Sequence, residues 1–354
     1  MTSNSYGDLL DYFPKISTDK ITAIGLGTAG CRILSKIESN GLRIDKYAYI
    51  SCEKTDFDLS QSEKKLFIDI DLRSKSSPSR VRGAAQKYSR EIRELISDSR
   101  IVFIVSGLGG FNGSGLTPLV ANIAKEEGVL TVSVVAMPFG FEKSKHFFAG
   151  TSLKLVRQNS DAVIIIDNDG ISISDEQIPI SKIYDIVNEK ISLALSKIIE
   201  SSGELSIGLN RLVQTITNDR FTLLSIGTSS AVNKAEEATT KAIESIYRLA
   251  EPEETCKSIL YLVGDNSVVA NEIVTSTSRL NTMLGNGNLE VNLGFSATGG
   301  SGSGMMAILL ASGFKTTKFD NYDPIEKILR NLEIDSDTDY LIDEDISNIT
   351  QLER

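Results

Sequence analysis

Cysteine, histidine and basic residues are scarce in this chain of 354 residues, and each scarcity closes off a class of function. The three cysteines, Cys31, Cys52 and Cys256, have no metal-site spacing and fall in segments that read as buried or near-buried, which makes them reduced packing residues. The single histidine, His146, gives no ground for a catalytic assignment. Lys and Arg number 37 against 47 Asp and Glu, and the net charge of −10 argues against non-specific nucleic-acid binding, which needs a basic surface. The one local excess of positive charge, from Arg73 to Arg93, reads as a solvated loop and helix face. No run approaches the roughly 18 apolar residues of a membrane span. The start, Met1-Thr-Ser-Asn-Ser-Tyr-Gly7, is no signal peptide, so a cytoplasmic chain is expected. A Gly-x-x-x-x-Gly-Lys-Ser/Thr motif is also missing, which excludes the ordinary P-loop NTPase. What remains, 41% apolar and 24% charged, is an ordinary globular composition on a chain long enough for two cores.

Glycine is present where it counts. Ser106 to Gly115, Ser-Gly-Leu-Gly-Gly-Phe-Asn-Gly-Ser-Gly, puts five glycines into ten positions between an apolar strand, Ile101–Val105, and a helix expected over Leu116–Glu127 with Pro118 in its first turn. Glycines let backbone N–H groups approach an anion closely, and a helix N-terminus adds partial positive charge. A structural turn would need only one or two glycines. The spacing therefore points to a cradle for phosphate.

From Ile21 onward strands and helices alternate. Strands are predicted at 21–24, 46–50, 101–105, 130–135 and 162–166, with helices over 32–40, 82–98, 116–127 and 145–159 between them. Strands apolar along their whole length and separated by helices predict a doubly wound α/β domain with a parallel sheet covered on both faces. A long helix over roughly 181–201 is apolar around most of its circumference, as for a helix buried between two domains. Beyond it, helices at 209–217, 231–248 and 268–283 and strands at 221–226, 258–263, 289–296 and 305–313 predict a smaller α/β unit with its own sheet. The first 18 residues read as an arm with an apolar patch. Residues 315–354 carry 11 acidic and 5 basic side chains and read as a mostly disordered acidic tail with short apolar pieces at 325–332 and 340–342.

The first strand ends in Gly25-Leu-Gly-Thr-Ala-Gly30, a Gly-x-Gly-x-x-Gly that alone would suggest a dinucleotide-binding Rossmann domain, with Glu53 at the distance of a ribose ligand. A dehydrogenase needs one such loop, whereas two at the carboxyl ends of neighbouring strands suit a polyphosphate gripped from both sides. A nucleoside tri- or diphosphate is favoured.

With both loops in view the chain resembles the tubulin/FtsZ superfamily, as a divergent FtsZ-like member of archaeal or otherwise distant type. Gly109-Gly-Phe-Asn-Gly-Ser-Gly115 stands where the family has Gly-Gly-Gly-Thr-Gly-Ser/Thr-Gly, with Phe111 and Asn112 as departures. Gly27-Thr-Ala-Gly-Cys31 is similar to the first phosphate loop, Val132–Glu142 to the segment that ends at the ribose, and Asp167-Asn-Asp169 to the next nucleotide loop. The likeness runs from about Ile21 to Phe314.

The resemblance implies the tubulin/FtsZ fold: a nucleotide-binding domain over 19–180, a central helix over 181–203 and a C-terminal activation-type domain over 204–314, between the arm at 1–18 and the tail at 315–354. It implies GTP or GDP as ligand, with Mg2+ as an accompanying ion. The phosphates would lie on Gly27, Thr28, Ala29, Gly30, Gly107, Gly109, Gly110, Phe111, Asn112, Gly113, Ser114 and Gly115. Phe139 and Glu142 match ribose residues, and His146 stands for an arginine near the phosphates and sugar. Asn168 and Asp185 match groups for guanine, with Tyr184 stacking on the base and Asn188 on the same helix face. The family's loop after the long helix contributes Asn-x-Asp-x-x-Asp to the next subunit's nucleotide. Here Ser206, Gly208 and Arg211 take those places, and neither glycine nor arginine can accept a proton from a water. Glu204, two residues upstream, would substitute only in a shifted loop.

The resemblance thus implies a cytoskeletal, cell-division type of protein that assembles head to tail through a heterologous contact, with weak or absent GTP hydrolysis. Its partners would be other copies of itself or an active FtsZ homologue, with adaptor or regulator proteins on the tail and membrane reached only through them. Three alternatives stay open: a non-catalytic regulatory subunit co-assembling with an active homologue, a GTPase with a non-standard catalytic group and, more distantly, a Rossmann oxidoreductase.

Overall fold

The structure, a computed structural model, describes residues 20–71, 77–172, 179–200, 205–217, 220–251, 255–284, 289–298 and 304–323. The expected N-terminal arm, Glu204 and the tail beyond Asp323 lie outside the described residues. The strands are β1 (Ile21–Leu26), β2 (Lys46–Ser51), β3 (Lys65–Phe67), β4 (Ile101–Gly107), β5 (Leu130–Met137), β6 (Ala162–Asp167), β7 (Phe221–Ser229), β8 (Lys257–Asp265), β9 (Glu290–Thr298) and β10 (Met305–Phe314). The helices are α1 (Gly27–Ser39), α2 (Pro78–Ala85), α3 (Ser89–Ile96), α4 (Phe111–Glu126), α5 (Lys143–Asn159), α6 (Asn168–Ser172), α7 (Ile180–Ile199), α8 (Leu209–Ile216), α9 (Lys234–Tyr247) and α10 (Ala270–Leu284).

All ten strands form one sheet in the order β3-β2-β1-β4-β5-β6-β7-β10-β8-β9. Every neighbouring pair is parallel except the two that β10 makes with β7 and β8. The smaller unit was expected to have a sheet of its own. Instead β7 pairs with β6 from Val163↔Phe221 to Ile166↔Leu224, because both are apolar runs with unpaired edges once the crossover helix has brought the chain back.

Alternation along the strands feeds opposite faces. Ile101, Phe103 and Val105 of β4 pack with α1, α7 and α8, while Val102 and Ile104 pack with α2, α3 and α4. The first of these cores runs without interruption from Ile21 to Leu310. On the other face, α5, α9 and α10 cover the strands from β5 onward.

Several local expectations are corrected. The helix expected over 82–98 is two, α2 and α3, separated by a tight turn at Gln86–Tyr88. Helix α4 begins at Phe111, five residues before its expected start, so Pro118 lies inside it. The short strand β3 was not foreseen. α7 is buried on one side only, at Val187, Ile191, Ala194, Leu195 and Ile198, with Tyr184, Asp185 and Glu189 facing out. Cys31 and Cys52 are buried as expected, but Cys256 is exposed.

Candidate functional site

Strand order 3-2-1-4-5-6 reverses direction between β1 and β4, and in such sheets ligands bind in the crevice beyond the carboxyl ends of the strands at that point. The two glycine-rich turns follow β1 and β4, so they flank this crevice. They touch: a Cβ on Gly27, whose φ is +63°, would sit 3.0 Å from Gly113 N and 3.2 Å from Asn112 Cβ. One on Gly113 would sit 2.2 Å from Gly107 O, and one on Gly107 would meet Ala29 Cβ at 2.8 Å. Gly30 lies equally close to Val105 O, which holds α1 against β4.

Neither α1 nor α4 has a side-chain cap or an acid in its first turn. By contrast α9 and α10 carry glutamates there. The first N–H groups of a helix have no intrahelical acceptor, so Phe111, Asn112 and Gly113 offer free donors backed by an unneutralised dipole. Ser114 is turned to structural use, its Oγ accepting from Gly109 N at 2.8 Å while its own N–H bonds to Gly110 O. Gly110 has open space where a Cβ would be, and Gly115 is pressed against Pro78 O and Val81 of α2. The donors, the empty dipole ends and the glycine cradle fit an anionic phosphate chain.

A residue outside the expected set joins them. Asp56 is buried on the turn after β2, accepts from Thr28 Oγ1 at 3.2 Å and from Ser51 Oγ at 2.5 Å, and so pins the first turn of α1. Glu53, the expected ribose ligand of a Rossmann reading, is exposed three residues away. Burial, with Asp56 nearby, pushes the Cys31 thiol well up, leaving it inert.

Beyond β5 the segment Pro138–Glu142 forms a second wall. Glu142 accepts from Phe139 N at 3.0 Å, from Lys145 Nζ and from Tyr184 OH of α7. Burial works to raise its carboxyl, but these three donors outweigh it and hold the group below the ordinary carboxylate value. Burial and the same glutamate push the Tyr184 phenol up. The Tyr184 ring stands edge-on to Phe139, centroids 5.3 Å apart, and is 37% exposed, leaving a face for a planar group. His146 Nε2 is 3.1 Å from Phe139 O. Phe111 leans on Phe148 of α5 at 5.5 Å.

Asn168 opens α6, and its Oδ1 is buried without a hydrogen-bond partner, an acceptor of the kind that the N–H edge of a base would satisfy. Asn188 is buried one turn below Tyr184, whereas Asp185 faces out and lies 3.8 Å from Arg32. The two glycine turns, Phe139, Glu142 and Tyr184 are thus brought together, and Asp185 is turned toward α1.

Ser206, Gly208 and Arg211 stand elsewhere. α7 leaves the crevice and extends for roughly 30 Å, and the loop after it starts beside β9, where Leu205 pairs with Phe295, at the far side of the sheet from β1 and β4. Ser206 and Arg211 are exposed there, and Gly208 is the N-cap of α8 with φ +74° and ψ 150°. None of them can reach the glycine turns of its own chain.

Residues 20–174 match the family model described as Tubulin/FtsZ family, GTPase domain. The chain is 26% identical over 301 residues to Cell division protein FtsZ 1 of Methanocaldococcus jannaschii, covering 81% of this chain and 82% of that protein. It is 30% identical over 236 residues to Cell division protein FtsZ 1 of Thermococcus kodakarensis, covering 64% and 63%. Among solved structures, an empty FtsZ dimer of M. jannaschii superposes with a TM-score of 0.74 at 24% identity over 88% of this chain and 93% of that one. A GTPγS-bound protofilament of CetZ2 from Haloferax volcanii gives 0.69 at 18% over 88% and 99%.

Proposed function

Since the chain belongs to the tubulin/FtsZ superfamily, we propose that it binds GTP or GDP in the crevice between β1 and β4 and assembles head to tail, with hydrolysis slow or absent. The observation that carries this reading is an asymmetry between the two edges of the sheet. At the crevice edge, two uncapped helix N-termini meet through glycine contacts too close for any side chain. At the far edge, the loop that a stacked neighbour's crevice would face offers a serine, a glycine and an arginine.

In this reading the N–H groups of Phe111, Asn112 and Gly113 hold phosphate oxygens, Glu142 and Phe139 the ribose, and Asn168 the base edge against the Tyr184 ring. Thr28 and Asp56 are the oxygen donors available to a Mg2+ ion. Arg211 of a neighbour is a fixed cation suited to hold a terminal phosphate, but no carboxylate stands at Ser206, Gly208 or Arg211 to polarise a water for attack. The division at α7, between 19–180 and 204–314, is one of function within a shared sheet. The tail supplies the attachment point for adaptor or regulator proteins.

The same asymmetry favours a second reading. A chain that keeps its crevice but lacks acids on the opposite loop suits mixed filaments, in which an acid-bearing homologue stacks on this nucleotide and hydrolyses it. Pelleting with GTP, GDP and no nucleotide, scored with phosphate release on the same sample, tests the first reading. Nucleotide-dependent pelleting with little phosphate release is expected, and rapid multiple turnover by the purified chain would refute the loss of hydrolysis. Co-sedimentation with and without an FtsZ homologue separates the two readings.

A further inference from the structure

The chain does not leave the fold at the end of β10. After a bulge between Ser312 and Phe314 it turns through Lys318–Tyr322, begun by a capping box of Thr317 and Asp320. Phe319 of this turn is fully buried in the core that α5 contributes to. α5 has closed on the strap so tightly that a Cβ on Gly150 would lie 2.8 Å from both Asp323 N and Tyr322 C.

Two side chains of the strap reach toward the crevice. Lys318 Nζ donates to Asp167 Oδ2 at 2.7 Å, where the aspartate side chain is only 6% exposed. Tyr322 lies face to face on His146, centroids 3.8 Å apart and planes 4° from parallel. Each contact is one step from a residue that faces the nucleotide. Asp167 immediately precedes Asn168, and His146 touches Phe139 O and sits one helical turn from Glu142. Asp167 is expensive to keep charged: burial and the nearby Asp169 charge raise its pKa against the pull of Lys318 and of the Asp169 backbone N–H, and its Oδ1 is buried without a full hydrogen bond. Without Lys318 the carboxylate must take up a proton or move toward water, and the β6–α6 turn that presents Asn168 moves with it.

We propose that Lys318 and Tyr322 are positioning residues of the nucleotide site, and that the strap they belong to couples occupancy of that site to the root of the C-terminal tail. The proposal rests on the nucleotide reading given above. Lys318 fixes the turn bearing Asn168, and Tyr322 fixes the imidazole that braces the Phe139–Glu142 wall. By linkage, a ligand that holds Asn168 and that wall in place tightens the strap by the same factor by which the strap tightens the ligand. The tail beginning at residue 324 therefore starts from a root whose order depends on what is bound.

The test is a titration of the full chain with a fluorescent guanine nucleotide. Lys318→Met keeps the aliphatic stem beside Phe319 and removes the charge; it should weaken binding about tenfold and reduce the preference for guanine over hypoxanthine nucleotides. Adding Asp167→Asn to Lys318→Met removes the unpaired carboxylate and should recover most of the loss. In the unaltered chain, hydrogen exchange of residues 315–323 should slow on saturation with GDP, a readout that needs no variant to fold. A folded Lys318→Met chain within about twofold of the unaltered affinity, or strap exchange indifferent to nucleotide, overturns the proposal. If the unaltered chain binds no guanine nucleotide, the site reading falls first, and the opening titration shows it.

Discussion

At the scale of single residues the crevice is defined by atoms that are missing. Gly113→Ala puts a methyl 2.2 Å from Gly107 O. Overpacking of this kind costs about 1–3 kcal/mol, so the urea midpoint should fall and nucleotide affinity with it. Gly83→Ala is the contrast: the residue is exposed in α2 with no atom within 4 Å of the added carbon, and stability should rise by about 0.5–1 kcal/mol. Glu142 sets a pH dependence. Its folded pKa is depressed, so the stability it contributes is present above the ordinary value of 4.5 and is lost as pH falls through the lower folded value. Glu142→Gln should accordingly lose less of its stability between pH 6 and about pH 3 than the unaltered chain does, as read by thermal melts across that range. The glycines were legible in the sequence because crowding of that kind has few other uses. Asp56 and Lys318 were not, since the contacts that tie them to the site, with Thr28 and Asp167, span 28 and 151 residues and only the fold brings them within reach.

At the scale of elements, the backbone of the loop before α8 constrains which side chains it can carry. Gly208 caps the helix at φ +74° and ψ 150°, a region that is essentially glycine's alone. Gly208→Ala should cost about 1–3 kcal/mol in a denaturant titration, and an aspartate there would carry the same strain. Returning an acid at Arg211 is the milder change, since that residue is exposed in the first turn of α8; if the neighbour's loop limits hydrolysis, Arg211→Asp should raise phosphate release per pelleted subunit. The strands other than β3 were legible from continuous apolar runs. β3 is three residues long and half-exposed or exposed throughout, so it carries no such signal. Helix starts were harder: glycines at 113 and 115 argue for a loop, yet they lie in the first five residues of α4, because Gly107 at the end of β4 and α2 approach so closely that nothing larger fits.

At the scale of the whole molecule, the join between β6 and β7 and the core running from Ile21 to Leu310 make one cooperative body of the described residues. Far-UV circular dichroism and tyrosine emission, from ten tyrosines undisturbed by any tryptophan, should change at the same urea concentration; two separated midpoints would mean that the halves unfold independently. The continuity of the sheet was not readable from the sequence, because strand order across a crossover depends on which edges remain free. That one sheet also has flanks. β3 gives one flank three residues of backbone, and on the other Leu205 lies across β9, exchanging N–H···O bonds with Phe295 at 3.2 and 3.0 Å. Short or crossed edges make poor templates for another chain's backbone. If copies stack head to tail as proposed, side chains and ligand hold them together, and a stack held that way can be dismantled by changing what its faces hold, as a fibre zipped together along its peptide groups cannot.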